Sequence, residues 1–314
     1  MISSTIGVDV SKDTLDVHRM ADGASRQFSN NKAGFKALVA FLGDPTDAQT
    51  RVVFEPTGPY HRAFERALAK AGVALVKVNP RQARRFAEAT GKLAKTDRLD
   101  AVLLARMGAL LDLEARPARS ESLDELAELH VARAALVKDR TAARNRAKAL
   151  TLPILKRQNA NRLKQIEAQI AAIERQMKAR IEADPVLRSR FVILTSIPAI
   201  AQTTAFALLI EMPELGTLEA GHAASLAGLA PVARQSGRWT GRAFIRGGRA
   251  SLRQALYMPA LVAARFNPNL KAKYNHLVKA GKPPKVALTA IMRKLLVLAN
   301  ALLKKGRLWT PNPA

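Results

Sequence analysis

Within the first 118 residues the hydrophobic period switches repeatedly between two and about 3.6, which restricts this segment to an α/β architecture. Residues 5–10, TIGVDV, place Ile6, Val8 and Val10 on one face and Gly7 and Asp9 on the other, the pattern of a strand. Residues 14–20 follow a turn-like Ser11-Lys12-Asp13 and read as a hairpin partner, and 24–29 as a third strand. Residues 32–42 are apolar at helical spacing. Residues 51–55 form a short buried-type strand, stopped by Pro56-Thr57-Gly58. A helix over 61–71, a strand over 73–78 ended by Asn79-Pro80, and helices over 82–89 and 97–111 complete the segment.

Three strands, then helix, strand, helix, strand and helix, is the order of an RNase H-like fold. The middle of the chain reads as helical. Residues 123–150 contain no Gly or Pro, and Pro153 breaks the run. Leu163, Ile166, Ile170, Ile173 and Met177 follow at spacings of 3 and 4, a heptad seam. It fits either a helical hairpin or coiled coil packed within the chain, or a dimer seam. The last part is also mainly α, with helices over 224–229, 251–266 and 286–303. The expected domains are therefore 1–118, 119–190 and 191–314.

Charge divides the chain in the same way. The whole carries a net charge of +26, of which residues 1–118 hold +5, 119–190 hold +7 and 191–314 hold +14. After Glu219 there is no acidic residue. Such an excess on a chain with 48 % hydrophobic residues points to a folded protein that meets a polyanion, most often nucleic acid. The absence of cysteine excludes disulfides, thiol nucleophiles and cysteine-bound zinc. The most apolar stretch, 295–303, is short of the roughly 20 residues of a membrane span. The first residues lack the basic and apolar regions of a signal peptide. The expectation is a cytoplasmic protein with no membrane contact, nucleoid-associated when acting.

Four acids stand out by position. Asp9 lies inside a strand, where a charge needs a partner. Glu55 ends another strand, and Asp97 and Asp100 share one face of a helix start. Carboxylates converging from strand ends and a helix suit magnesium, and paired metals orient both oxygens of a phosphoryl transfer. The alternative is a set of unrelated surface acids.

Ser236 lies in the segment 235–251, QSGRWTGRAFIRGGRAS, which reads as an exposed loop or short hairpin with four glycines and four arginines. Glycine backbone N–H groups approach phosphate closely, and Arg234, Arg238, Arg242, Arg246 and Arg249 are candidate phosphate clamps. A plain turn serine and a solvated basic face are the alternatives. Tyr257 is a rival nucleophile, although its apolar helix favours a core or rim role. Tyr60 is open to stacking or bonding near the acid site, with packing as the default, and the five scattered histidines are assigned nothing.

The strings GVDVSKDTLDV, EPTGPY, VNPRQARRFAEATGKLAKTDRLDA, LAGLAPVARQSG, GGRASLRQALYMPAL and GKPPKVALTAIMRKLL together resemble the insertion-sequence "one-ten" (IS110) family of transposases. That family includes bridge-RNA-guided recombinases and relatives of Piv-type DNA invertases. The resemblance implies an N-terminal RuvC-like DEDD domain, a helical coiled-coil insert and a C-terminal transposase domain. It places the four acids on Asp9, Glu55, Asp97 and Asp100, and the nucleophile on Ser236. It also implies donor and target DNA and a guide (bridge) RNA as partners. The expected enzyme is a dimer or tetramer with a composite active site. One segment departs from the family pattern: the glycine-rich turn I-P-G-I-G is here Ile197-Pro198-Ala199-Ile200-Ala201.

Two other classes stay open. A metal-dependent junction-resolving nuclease would use water as its nucleophile. A non-catalytic nucleic-acid-binding protein would need only the charge. A sugar-kinase reading of VDVSKD lacks a later glycine-rich phosphate loop in the acidic half and does not explain +26.

Overall fold

The computed structural model describes residues 4–43, 50–56, 58–91, 97–111, 113–115 and 117–310, with the side chains of Asp97 and Arg98 outside that set. The chain divides into two compact units, Met1–Ser120 and Glu121–Ala314.

Unit 1 is a five-stranded mixed sheet with helices on both faces. Its elements are β1 (Ser4–Val10), β2 (Thr14–Arg19), β3 (Ser25–Ser29), α1 (Lys32–Leu42), β4 (Thr50–Phe54), α2 (His61–Lys70), β5 (Ala74–Lys77), α3 (Pro80–Ala89) and α4 (Asp97–Leu110). The strand order is β3-β2-β1-β4-β5. The first three strands run antiparallel, and β4 and β5 run parallel to β1. That is the sheet expected of an RNase H-like domain.

Alternation along the strands sorts the two cores. Ile6, Val8, Leu15, Val52, Phe54 and Leu75 pack with Phe35 and Leu38 of α1 and Phe64 and Leu68 of α2. Phe54 meets Phe64 edge-on at 5.3 Å. On the opposite face Val53 and Val76 pack with Ala83 of α3 and Leu104 and Met107 of α4. Gly7 permits the close approach of α4. A Cβ at Gly7 would stand 1.9 Å from the Ala101 carbonyl oxygen and 2.4 Å from the Ala105 nitrogen. Both are backbone atoms, so Gly7→Ala must push α4 off the sheet. It is expected to lower stability by about 1–3 kcal/mol, read as a fall in melting temperature.

Unit 2 is helical apart from one β-arm. The helices are α5 (Glu121–Ala147), α6 (Pro153–Ala183), α7 (Pro185–Ser196), α8 (Gln202–Glu211), α9 (Ala220–Leu226), α10 (Ala250–Phe266), α11 (Pro268–Lys279) and α12 (Pro284–Lys305). α5 and α6 form an antiparallel hairpin. Arg133 Nε donates to Glu174 Oε1 at 2.7 Å, Arg144 Nη2 to Glu167 Oε1 at 2.8 Å, and Asn159 Nδ2 to the Ala143 carbonyl at 3.1 Å. Ile166, Ile170 and Met177 of the heptad seam are buried within the chain, and Met177 joins the main core of unit 2.

That core gathers Leu194, Phe206, Leu208, Leu256, Ile291, Leu295 and Leu296 from α7, α8, α10 and α12. α12 is long and apolar enough to cross a membrane by length and composition alone, yet half of its apolar window is buried inside the protein. Leu295 and Leu296 spend that hydrophobicity on packing. The buried Asn300 of α12 accepts from the Gly216 N–H and donates to the Leu218 carbonyl, both at 2.7 Å, which pins the 213–219 turn.

The turn between α7 and α8 keeps a left-handed residue despite its sequence. Ala199 has φ +77°, the only non-glycine with positive φ among the described residues. An L side chain there costs about 1–2 kcal/mol, whereas glycine adopts it freely at a smaller entropic cost. Ala199→Gly is therefore expected to raise the melting temperature, by an amount worth up to about 1 kcal/mol.

Candidate active site

In unit 1 strand register and the direction of α4 bring the acids to the same end of the sheet. β1 and β4 are parallel neighbours, with Val8 opposite Phe54. Asp9 and Glu55 are the next residue of each, so they stand side by side at the carboxy ends of the two strands. Asp9 shares the face of Gly7, and Glu55 follows the same alternation from Val53. That is the face α4 covers.

The direction of α4 follows from two close approaches. A Cβ at Gly108 would meet Thr5 and Val53 side chains at 2.6 and 2.5 Å, whereas Ala101 and Ala105 lie against Gly7. The helix therefore runs antiparallel to β1, and its first turn, with Asp97 and Asp100, arrives at the Asp9 end. Acids in a first turn are also favoured by the helix dipole. Asp9, Glu55 and Asp100 are each half-buried. Asp97 begins the helix, and its side chain lies outside the described residues, as do Thr57 and 92–96.

One acid escaped the sequence reading. Asp16 on β2 is the direct cross-strand partner of Asp9. Directly opposed carboxylates repel, and a cation between or beside them relieves the cost. Gln27 Nε2 donates to both Asp16 oxygens, at 3.1 and 3.2 Å. The turn is Lys12-Asp13, which sets position 9 opposite 16, whereas a turn over 11–13, as read from the sequence, sets it opposite 15.

The donors at this end of the sheet are hard carboxylate oxygens, the chemistry that suits magnesium. Among the described residues no three such side chains are grouped closely enough to enclose an ion. Nearby, Glu65 of α2 is buried and paired with Lys77 Nζ at 2.7 Å, with His61 Nε2 at 3.7 Å. This ion pair secures α2 against β5. Tyr60 is 41 % exposed, and its carbonyl accepts from Asn30 Nδ2.

Ser236 sits at the tip of the β-arm in unit 2. The arm comprises β6 (Pro231–Val232), β7 (Gln235–Ser236), β8 (Trp239–Thr240) and β9 (Phe244–Ile245). β6 pairs with β9 at its base and β7 with β8 at its tip. Between the two ladders one residue, Ala233, faces two, Arg242 and Ala243, so the return strand carries a bulge. Ser236 is opposite Trp239, and Gly237-Arg238 makes the two-residue turn. Gly237 has φ +54°, as the first turn position of a tight hairpin demands. Ser236 is exposed, and its hydroxyl has no hydrogen-bond partner among the described residues.

The arginines of the arm are not equivalent. Arg234, Arg238, Arg242 and Arg246 are exposed. The Arg234 guanidinium also lies over the Phe244 ring, 5.0 Å from its centroid. Arg249 instead forms an ion pair with Glu214 and is half-buried at the base of the arm. Arg190 donates to the carbonyls of Pro213 and Leu215 at 2.9 and 2.8 Å. Burial holds its pKa below the ordinary guanidinium value, with Glu214 opposing. The base is further latched by Arg253 Nη1, which donates to the carbonyls of Ala227 and Gly247. Sequence spacing alone gives no sign of Arg253.

Comparison with known families bears on both units. A transposase model of IS110 DEDD proteins matches residues 6–155, and a second, for transposases of the IS116/IS110/IS902 family, matches 192–275. The chain belongs to the IS110 transposase family. The first match contains Asp9, Glu55, Asp97 and Asp100, and the second contains the whole Ser236 arm. Pilin gene-inverting proteins of Moraxella bovis and Moraxella lacunata are each 29 % identical over 320 residues, covering 98 % of this chain and 98 % of theirs. An uncharacterized 43.6 kDa protein of insertion element IS110 from Streptomyces coelicolor is 32 % identical over 159 residues, half of this chain and 38 % of that one. Membership in this family makes the chain an enzyme that acts on DNA, and its DEDD domain implies use of a divalent metal.

Proposed function

We propose that this transposase cuts and rejoins DNA through a covalent phosphoserine intermediate on Ser236. The observation that carries the reading is the placement of Ser236, exposed at the turn of a protruding arm with four exposed arginines. In the proposed step Ser236 Oγ attacks a scissile phosphorus and loses its proton. The P–O3′ bond breaks, and the leaving oxygen takes up a proton as a free 3′-hydroxyl. Attack by another strand's 3′-hydroxyl on the phosphoserine reverses the step and restores Ser236. No phosphodiester is lost to hydrolysis.

Arg234, Arg238, Arg242 and Arg246 bind the flanking phosphates and offset charge at the transferred one. Arg249 supports the arm through Glu214. Asp9, Glu55, Asp97 and Asp100 are the residues that would hold magnesium, which when bound would supply polarisation of the phosphate and a more acidic nucleophile. Donor and target DNA are the substrates. The family resemblance supports a guide (bridge) RNA that pairs with both. It also supports a cytoplasmic dimer or tetramer in which one protomer's acids work with another's serine.

The name of the Moraxella relatives, pilin gene-inverting protein, favours rejoining over simple cutting. The test uses the full chain with its co-purified RNA, magnesium and plasmid DNA carrying the element junction. The reading expects rearranged plasmid and protein-linked 5′ ends. Linear or nicked DNA with free 5′-phosphates and no rearranged product would instead indicate the junction-resolving nuclease.

A further inference from the structure

We propose that a cleft between α10, α11 and α12 binds one unpaired nucleotide, its base stacked on Tyr257 and its phosphate met by Arg265 and Lys285. This deepens the reading of the chain as a nucleic-acid enzyme and rests on it. The cleft has a volume of about 250 Å³, room for a single base. Leu261 and Leu288 give the cleft apolar lining, and Tyr257 and Tyr274 line it as well. Tyr257 is 43 % exposed, although it belongs to a helix whose neighbours Leu256 and Ala260 are fully buried. Its ring is therefore presented to the cleft and to solvent at once, which suits a stacking surface.

Charge narrows the occupant further. Arg265 and Lys285 line the same cleft, and neither forms an ion pair among the described residues. No acid can answer them from the lining helices, since 250–305 contains no Asp or Glu. The three acids of 191–314 are engaged elsewhere. Glu211 accepts from Ser251 Oγ at 2.7 Å, Glu214 pairs with Arg249, and Glu219 pairs with Lys304 at 2.9 Å. An anion entering the cleft meets two unopposed cations, and a flat ring meets two phenols and apolar side chains. Together these are the two halves of a nucleotide. Single-stranded nucleic acid is bound in this way, by stacking beside a cationic track, because its bases are free to leave the stack.

The experiment uses the full chain with single-stranded RNA and DNA oligonucleotides that carry 2-aminopurine, alongside unlabelled duplex DNA. Binding is expected to quench the 2-aminopurine, and the arm with the tighter quenched complex identifies the nucleic acid that fills the cleft. Tyr257→Ala is expected to abolish the quench and weaken single-strand binding about 10-fold or more. Tyr257→Phe, which keeps the ring, is expected to quench and bind as the parent does. The double variant Arg265→Ala, Lys285→Ala, made on the surface, is expected to lower the salt slope of single-strand binding by about one to two.

A folded Tyr257→Ala protein that quenches and binds like the parent overturns the proposal. So does a failure of Tyr257→Phe to rescue, because it assigns the effect to the hydroxyl. If Tyr257→Ala melts early, the double variant decides, and an unchanged salt slope overturns the proposal. These outcomes separate from the underlying reading. A chain that binds neither single strands nor duplex fails as a nucleic-acid enzyme. Duplex binding and Ser236-linked DNA that persist without a quench remove only the cleft.

Discussion

Replacing Ser236 with alanine is expected to abolish both strand cleavage and protein–DNA adducts, by at least about a thousand-fold in rate. Removal of the attacking oxygen leaves positioning intact and chemistry without its nucleophile. The variant is expected to fold and to bind DNA as the parent does. Ser236 is exposed at the arm tip, and its hydroxyl makes no hydrogen bond among the described residues, so alanine should change stability by no more than about 0.5 kcal/mol. The turn is set by Gly237, not by the serine. A gel that resolves nicked DNA, with denaturing electrophoresis for the adduct, reads both effects. Persistent metal-dependent cleavage in this variant would assign the attack to water and leave unit 2 as a DNA-binding unit.

The second large effect belongs to Asp9. Asp9→Asn keeps size and removes charge, and is expected to lower cleavage about 100-fold or more. Asp9 faces Asp16 across the β1–β2 ladder, so a cation held at Asp9 also offsets the charge of its neighbour. Magnesium should raise the melting temperature of the parent, because it binds the folded state, and should leave the variant nearly unmoved. Equal magnesium shifts in the two proteins would place the ion away from Asp9. A cleavage rate unchanged by Asp9→Asn would reduce the DEDD acids to structural charges.

How much of this was legible in the sequence depends on how local the cause was. β1 announced itself through Ile6, Val8 and Val10, and the same alternation exposed Asp9 as a charge that needed a reason. The start of α6 was marked by Pro153, which occupies its first turn. α11 was equally local but unread: Asn267 caps it by accepting from the Leu270 N–H, and Pro268 follows at its start. The β-arm was only half visible. Its tip, Ser236-Gly237-Arg238-Trp239, is a short-range turn, whereas the base ladder of Pro231 with Ile245 joins residues that no periodicity links. α9 was expected over 224–229 and lies at Ala220–Leu226, since Glu219 starts it and Gly228 must stay free for the arm's base. A Cβ at Gly228 would lie 2.2 Å from Arg253 Nη1 and from the Gly247 carbonyl oxygen. That contact, like the Arg249–Glu214 pair, spans segments distant in sequence and belongs to tertiary structure alone.

The acids show the same division. Glu55 and Asp9 became neighbours only through the parallel register of β4 on β1. Asp100 comes to the same end of the sheet because Gly7 lets α4 lie close against the strand. Charge composition pointed to nucleic acid from the start. The structure adds that the three carboxylates of 191–314 are occupied, which leaves the exposed cations of the arm and of α10–α12 to a partner.

The most direct test is the identity of the residue joined to DNA. The parent protein, its co-purified RNA, magnesium and junction DNA are incubated, the adduct is digested with protease and nuclease, and the nucleotide-bearing peptide is sequenced by mass spectrometry. The account predicts a nucleotide phosphate on Ser236, within the peptide that ends at Arg238, and none in the Ser236→Ala protein. A phosphate on Tyr257, or cleavage that proceeds with no linked peptide, would contradict it.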